Sequence, residues 1–186
     1  AAEIARALMD RGDADPALLA LLGRAEVVAG EVERGEVHLR EALAHPNPPW
    51  EALRALGRAF VSQGRLREAE DTLWRTLEAQ EADCEPMPER GRTLLLIAAC
   101  LARAGRWEAA GLALQEALEL VLDDADRERG EFSLAVVRMN CGRNAAAMEL
   151  LEALCAARSE RAEPWISLGL AMLDAGRFDD GVQRLE

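Results

Sequence analysis

The chain has 186 residues, with 22 basic side chains against 34 acidic ones and a formal net charge of −12. All the basic residues are Arg, which leaves no lysine for a phosphate loop, a pyridoxal Schiff base or a general base. Half the residues are hydrophobic, enough to fill a core, and the acid excess argues against a non-specific nucleic-acid binder.

Apolar residues recur at spacings of 3, 4 and 7 along the chain, the period of amphipathic helices. In chain order the pattern predicts helices over 2–11, 17–29, 32–45, 49–63, 66–80, 88–104, 107–122, 127–141, 144–157 and 163–175, with a stub from 178. Pro16, the run Pro46–Pro49, Pro86, Pro88 and Pro164 precede first helices, where the missing N–H of proline does no harm. The joint before 127 carries Asp123, Asp124 and Asp126 instead, which can cap a helix and oppose its dipole. Residues 80–89 hold two Pro and four acids and read as an exposed inserted loop.

A glycine turn recurs at Gly30, Gly64, Gly105, Gly142 and Gly176, at spacings of 34, 41, 37 and 34. Eight and seven residues before it stand Leu22-Gly23, Leu56-Gly57, Ile97-Ala98, Leu134-Ala135 and Leu168-Gly169. Five after it stand Gly35, Ala69, Ala110, Ala147 and Gly181, and nine after it a leucine in every unit. Each unit is therefore a helix hairpin: glycine ends the first helix in a left-handed turn, and small residues let the two helices approach. In the fourth unit a turn one residue shorter would align Phe132, Met139, Ala146, Leu150 and Ala153 instead.

This pattern resembles the tetratricopeptide repeat, W-x2-L-G-x2-Y followed by A-x3-F, A and P in 34 residues. Trp165-Ile166-Ser167-Leu168-Gly169 with Met172 is the best match; Leu53, Leu56-Gly57, Phe60, Ala69 and Leu73 give another. A third runs through Leu94, Ile97-Ala98, Leu101, Ala110, Leu114 and Ala117, and the first unit is degenerate, with Glu26 in the Tyr slot. The resemblance covers essentially the whole chain. It implies an all-α, right-handed superhelical solenoid of antiparallel helix hairpins, a single domain over 1–186. Its units are approximately 1–15 (partial), 16–49, 50–90, 91–126, 127–161 and 162–186 (partial). Residues 2–11 and 177–186 look like halves of further hairpins, so we expect a piece of a longer array whose open ends self-associate.

The implied function is a protein–protein interaction scaffold or adaptor, with a concave groove lined by the first helices. Groove positions are Arg24, Glu51, Arg54, Arg58, Arg92, Leu95, Ala99, Arg103, Val137, Asn140, Ile166 and Leu170. Five Arg against one Glu stand at the early end and apolar residues at the later one, so the expected occupant is a protein or peptide segment with carboxylates at one end. The family's clamp for a chaperone's C-terminal carboxylate needs Lys and Asn where Ala20, Arg24 and Ala55 stand, and only Arg92 fits it. The alternative is a regulatory or substrate-docking domain of a larger enzyme or transcription regulator. RNA binding by a related helical repeat conflicts with the charge.

No catalytic motif is present, and the expectation is a protein without enzymatic activity, cofactor or metal. Cys84, Cys100, Cys141 and Cys155 lack zinc spacing and read as free thiols, mostly buried, of a reducing compartment. The expected location is the cytoplasm, with the periplasm open; neither nucleic acid nor membrane is an expected partner. His38 and His45 are two helical turns apart, too far for one metal ion, and read as structural. Trp50, Trp74, Trp107 and Trp165 read as packing residues, with Trp107 and Phe178 wedged between neighbouring hairpins, and Glu68, Glu70, Asp71 and Glu119 as solvated.

Overall fold

A computed structural model of the chain describes residues 15–83, 87–120, 122–157, 161–177, 180 and 182. The described residues form nine helices and no strand: α1 (Pro16–Ala29), α2 (Val32–Leu43), α3 (Trp50–Gln63), α4 (Leu66–Ala82), α5 (Met87–Arg103), α6 (Trp107–Glu119), α7 (Asp124–Asn140), α8 (Asn144–Ala157) and α9 (Ala162–Asp174). The expected helix 2–11, Phe178 and most of the stub lie outside the described residues. The chain divides into two compact units, Ala1–Glu85 and Pro86–Glu186.

Local sequence explains where the helices stop. The five repeated glycines are the five with positive φ, between 72° and 88°. At each, a Schellman motif closes the helix: Glu31 N–H donates to Glu26 O at 2.9 Å, and Arg65, Arg106, Arg143 and Arg177 repeat that bond to Phe60, Leu101, Arg138 and Met172. Residues with a Cβ avoid this backbone conformation, so the turn glycine is required rather than tolerated. Helix starts are set by Asp15, which accepts from Ala17 N–H, and by Asp123, which accepts from Asp126 N–H.

In the first unit α1 packs on α2 and α3 on α4, and α3 also rests on both helices of the preceding hairpin. Leu19, Leu22, Leu39, Leu53, Leu56, Phe60 and Leu73 fill the core. The hairpin α1–α2 is unusually close. A Cβ on Gly35 would stand 2.6 Å from the carbonyl oxygen of Gly23, and one on Gly23 would stand 2.7 Å from Leu39 Cγ.

In the second unit α5 packs on α6, α7 lies against α6 and α8, and α9 packs on α8. Ala135, Leu151, Cys155, Leu168, Ala171 and Met172 form one buried cluster there. Three expectations are corrected. Ala147, Leu151 and Leu154 are the buried residues of α8, while Ala146 and Leu150 are half-buried and Ala153 is exposed, so the fourth unit keeps the common register. The 80–89 loop is much shorter than expected: α4 continues to Ala82 with Gln80 fully buried, and α5 begins at Met87. Trp74 is 44% exposed rather than packed in a core.

Candidate functional site: the inner faces of the first helices

The phase of the repeat puts positions three, four and seven apart on one face of α1, α3, α5, α7 and α9. Between α1 and α3 this face encloses a cleft of about 210 Å³ lined by Ala17, Ala20, Leu21, Arg24, Pro49 and Glu51. Its floor is apolar because Ala20 and Ala55 are buried where the helices meet. Arg24 and Arg58 are exposed, and neither makes an ion pair among the described residues. Arg54 lies over the Trp50 ring, its Cζ 4.7 Å from the centroid, which anchors that guanidinium on an otherwise buried indole.

In the second unit a cleft of about 230 Å³ opens between α5 and α7. Ala99, Ala102, Phe132, Val136 and Val137 line it, with Ser133 the polar member. Ala99 is exposed at its rim, whereas Val137 is 3% exposed and forms its floor. Leu95 is half-buried and Arg103 exposed. Asn140 is exposed and bonds its own helix, donating to Val136 O. On α9, Ile166 and Leu170 are 50% and 47% exposed, one turn apart.

Arg92 stands apart from the other arginines of this face. Its guanidinium donates to Asp126 and Asp123, each at 2.6 Å, and to Glu89. Hydrogen bonds from Asp126, Asp123 and Glu89 raise its pKa, in that order of weight. Asp123 is held below the usual carboxylate range, first by the Asp126 backbone N–H and then by Arg92. This network joins the starts of α5 and α7, 34 residues apart. Arg161 and Glu128 repeat it 33 residues apart at the next joint.

Two buried features had weak sequence signals. Glu26, in the Tyr slot, is 1% exposed and sits 2.6 Å from Nδ1 of His38 across the α1–α2 hairpin, with Arg34 at 3.9 Å. His38 is thus structural, as expected, through a specific acidic partner. Glu36 joins two hairpins: it accepts from Arg65 Nη1 at 2.9 Å and Gln63 Nε2 at 3.3 Å on the α3 side and from Arg40 of its own helix at 2.7 Å. Burial would raise its pKa, but the hydrogen bonds from Arg65, Arg40 and Gln63 outweigh that and lower it. Arg65 also stacks on Phe60, 4.1 Å from the ring centroid.

Cys100 and Cys155 are buried and Cys141 half-buried, all three as free thiols. Among the described residues no cluster of three or more His, Cys, Asp and Glu could hold a metal ion. No described helix is long and apolar enough to cross a membrane.

A sequence profile described as Tetratricopeptide repeat matches residues 20–83 and 54–126, together more than half of the chain. No curated protein sequence matches. Several solved structures are similar in fold. YrrB, described as a TPR protein with an unusual peptide-binding site, is 18% identical with a TM-score of 0.76, covering 100% of this chain and 90% of its own. A putative kinesin light chain with nearly identical TPR-like repeats, its source printed as Podosopora anserina, is 21% identical with a TM-score of 0.74, covering 90% and 89%. PilF of Pseudomonas aeruginosa is 20% identical with a TM-score of 0.73, covering 94% of this chain and 75% of its own.

Proposed function

This chain belongs to the tetratricopeptide repeat family, and from that membership we propose that it is a non-catalytic scaffold that holds a protein segment along the inner faces of its first helices. The observation that carries this reading is the state of the inner-face arginines. Arg34, Arg40, Arg65, Arg92, Arg129, Arg161 and Arg177 are all ion-paired, in a chain with 34 acids. Arg24 and Arg58 are exposed beside an apolar floor without such a partner among the described residues. A guanidinium left open there can take both oxygens of a carboxylate from outside the chain.

The segment bound in the first unit therefore carries carboxylates, met by Arg24 and Arg58, with Arg54 pre-set on Trp50 and Glu51 selecting against excess acid. In the second unit the cleft between α5 and α7 takes an apolar side chain over Ala99 and Val137. Ile166, Leu170, Leu95, Arg103 and Asn140 extend the proposed contact surface. Arg92 is occupied by its own carboxylates and serves to tie α5 to α7. The peptide-binding site in the description of YrrB is consistent with this use of the fold.

The test is affinity capture with the chain as bait, followed by titration of each captured protein. Arg24→Glu with Arg58→Glu should weaken binding at least tenfold, about 1.4 kcal/mol, at unchanged helicity. Unaltered affinity in that double variant would place the interface elsewhere.

A further inference from the structure

A second candidate site lies on the outer side, where α6 meets α7. There the two helices flank a cleft of about 230 Å³ whose apolar part is Trp107, Leu112, Leu134 and Val137 and whose cations are Arg138 and Arg143. Leu112 is 68% exposed, the highest value among the exposed large hydrophobic residues. The equivalent seam of the first unit, between α2 and α3, is closed by the chain itself. Glu36, six residues after Gly30, receives Arg65, one residue after Gly64, and Gln63, one before it. In the α6–α7 seam the same slots hold Gly111, Arg143 and Cys141.

The arginine is kept and its carboxylate is gone. Where Phe60 supports Arg65, the corresponding residue is Arg138, a second cation. Arg138 gives one N–H to Ala146 O at 3.0 Å, and neither Arg138 nor Arg143 has an ion-pair partner among the described residues. Glu108 lines the cleft as well, but no ion pair among the described residues joins it to either guanidinium. The cleft thus presents two guanidiniums against one carboxylate, over an apolar floor left open by the loss of the Glu36 side chain.

We infer that the α6–α7 seam is a docking site for an acidic side chain of a partner protein, flanked there by an apolar residue that covers Leu112. The partner's carboxylate would stand where Glu36 stands in the sister seam, and charge complementarity with Arg138 and Arg143 selects it. This site is independent of the inner-face reading above, and either can fail without the other.

The test uses acetyl-Leu-Glu-Leu-amide as probe, followed through the Trp107 indole N–H by NMR, with acetyl-Leu-Gln-Leu-amide and sodium acetate as comparisons. The Glu peptide should shift the Trp107 signal and bind at least tenfold more tightly than the Gln peptide. Arg143→Gln should weaken it at least tenfold while the circular dichroism spectrum is unchanged. Gly111→Glu should block it by supplying the missing carboxylate from within; a Cβ at Gly111 meets only Val137 Cγ1 at 3.4 Å, so the helix accepts the residue. Gly111→Ala should leave binding intact. Absence of Glu-peptide binding, equal binding of the two peptides, or full binding by Arg143→Gln would overturn the proposal. Acetate binding as tightly as the peptide would also overturn it, in favour of a small-anion site.

Discussion

Gly35 shows how little room a single residue can have in this fold. Its missing Cβ is what lets the Gly23 carbonyl approach, and that oxygen is backbone, which cannot rotate away. Gly35→Ala should therefore separate α1 from α2 and cost about 1–3 kcal/mol, read as a lowered midpoint in urea. Glu26 makes the opposite point about a residue that is present. It is almost fully buried, and His38 stands at hydrogen-bond distance from it. His38→Ala removes that partner and leaves only the more distant guanidinium among the printed ion pairs of Glu26. The expected loss is about 1–3 kcal/mol. Replacing both residues, Glu26→Leu with His38→Leu, should recover most of it, because the cost lies in the buried carboxylate and not in the lost contact. Equal destabilisation by the single and double variants in thermal unfolding would contradict this account.

Helices here are ended locally and joined through charge. Five glycine turns stop five first helices by one backbone mechanism. The joints between hairpins are held by ion pairs about one repeat apart: Arg65 with Glu36, Arg92 with Asp126, Arg161 with Glu128. Glu36 is the most embedded of these acids that bridge to a following hairpin through an Arg of the turn. Its folded-state pKa is lowered, so the seam contributes stability above the ordinary glutamate range and loses it as pH falls through the folded value. The sign follows from proton binding: the unfolded chain takes up the Glu36 proton first. Acid unfolding of the α2–α3 seam, followed by hydrogen exchange of α3 amides below about pH 4, should accelerate in the wild type. Glu36→Gln should be less stable at neutral pH and should lose that part of the acid response.

At the scale of the whole molecule, stability is expected to be a sum of hairpins and the seams between neighbours, because no hairpin buries its apolar face alone. Leu151 on α8 belongs to a cluster that also takes Ala135 of α7 and Leu168, Ala171 and Met172 of α9. Leu151→Ala should cost about 2–5 kcal/mol in the second unit. Hydrogen exchange should rise in α7, α8 and α9 well before it rises in α5, which touches none of that cluster. A uniform rise through α5 would show that the unit unfolds as one cooperative body.

The amino-acid sequence alone determined the hairpins, their family and their register, because those depend on local rules. A left-handed turn needs glycine at the next unit's same position, and a close helix pair needs a small residue five positions later. The structure kept that common phase even in the fourth unit, where an alternative alignment looked better on paper, because Ala147, Leu151 and Leu154 are what α8 buries. Which charges are already engaged was decided only by the tertiary structure. Arg24, Arg58 and Arg92 occupy similar positions in the repeat pattern, yet only Arg92 finds carboxylates, on a helix that begins 32 residues further along the chain. Glu26 read as a fault in the motif and became a buried partner of His38; Gly111 read as one more small residue and marks the place of a missing acid. Helix periodicity is a property of neighbours three and four apart, whereas an ion pair between hairpins depends on where two separate helices bring their side chains in space.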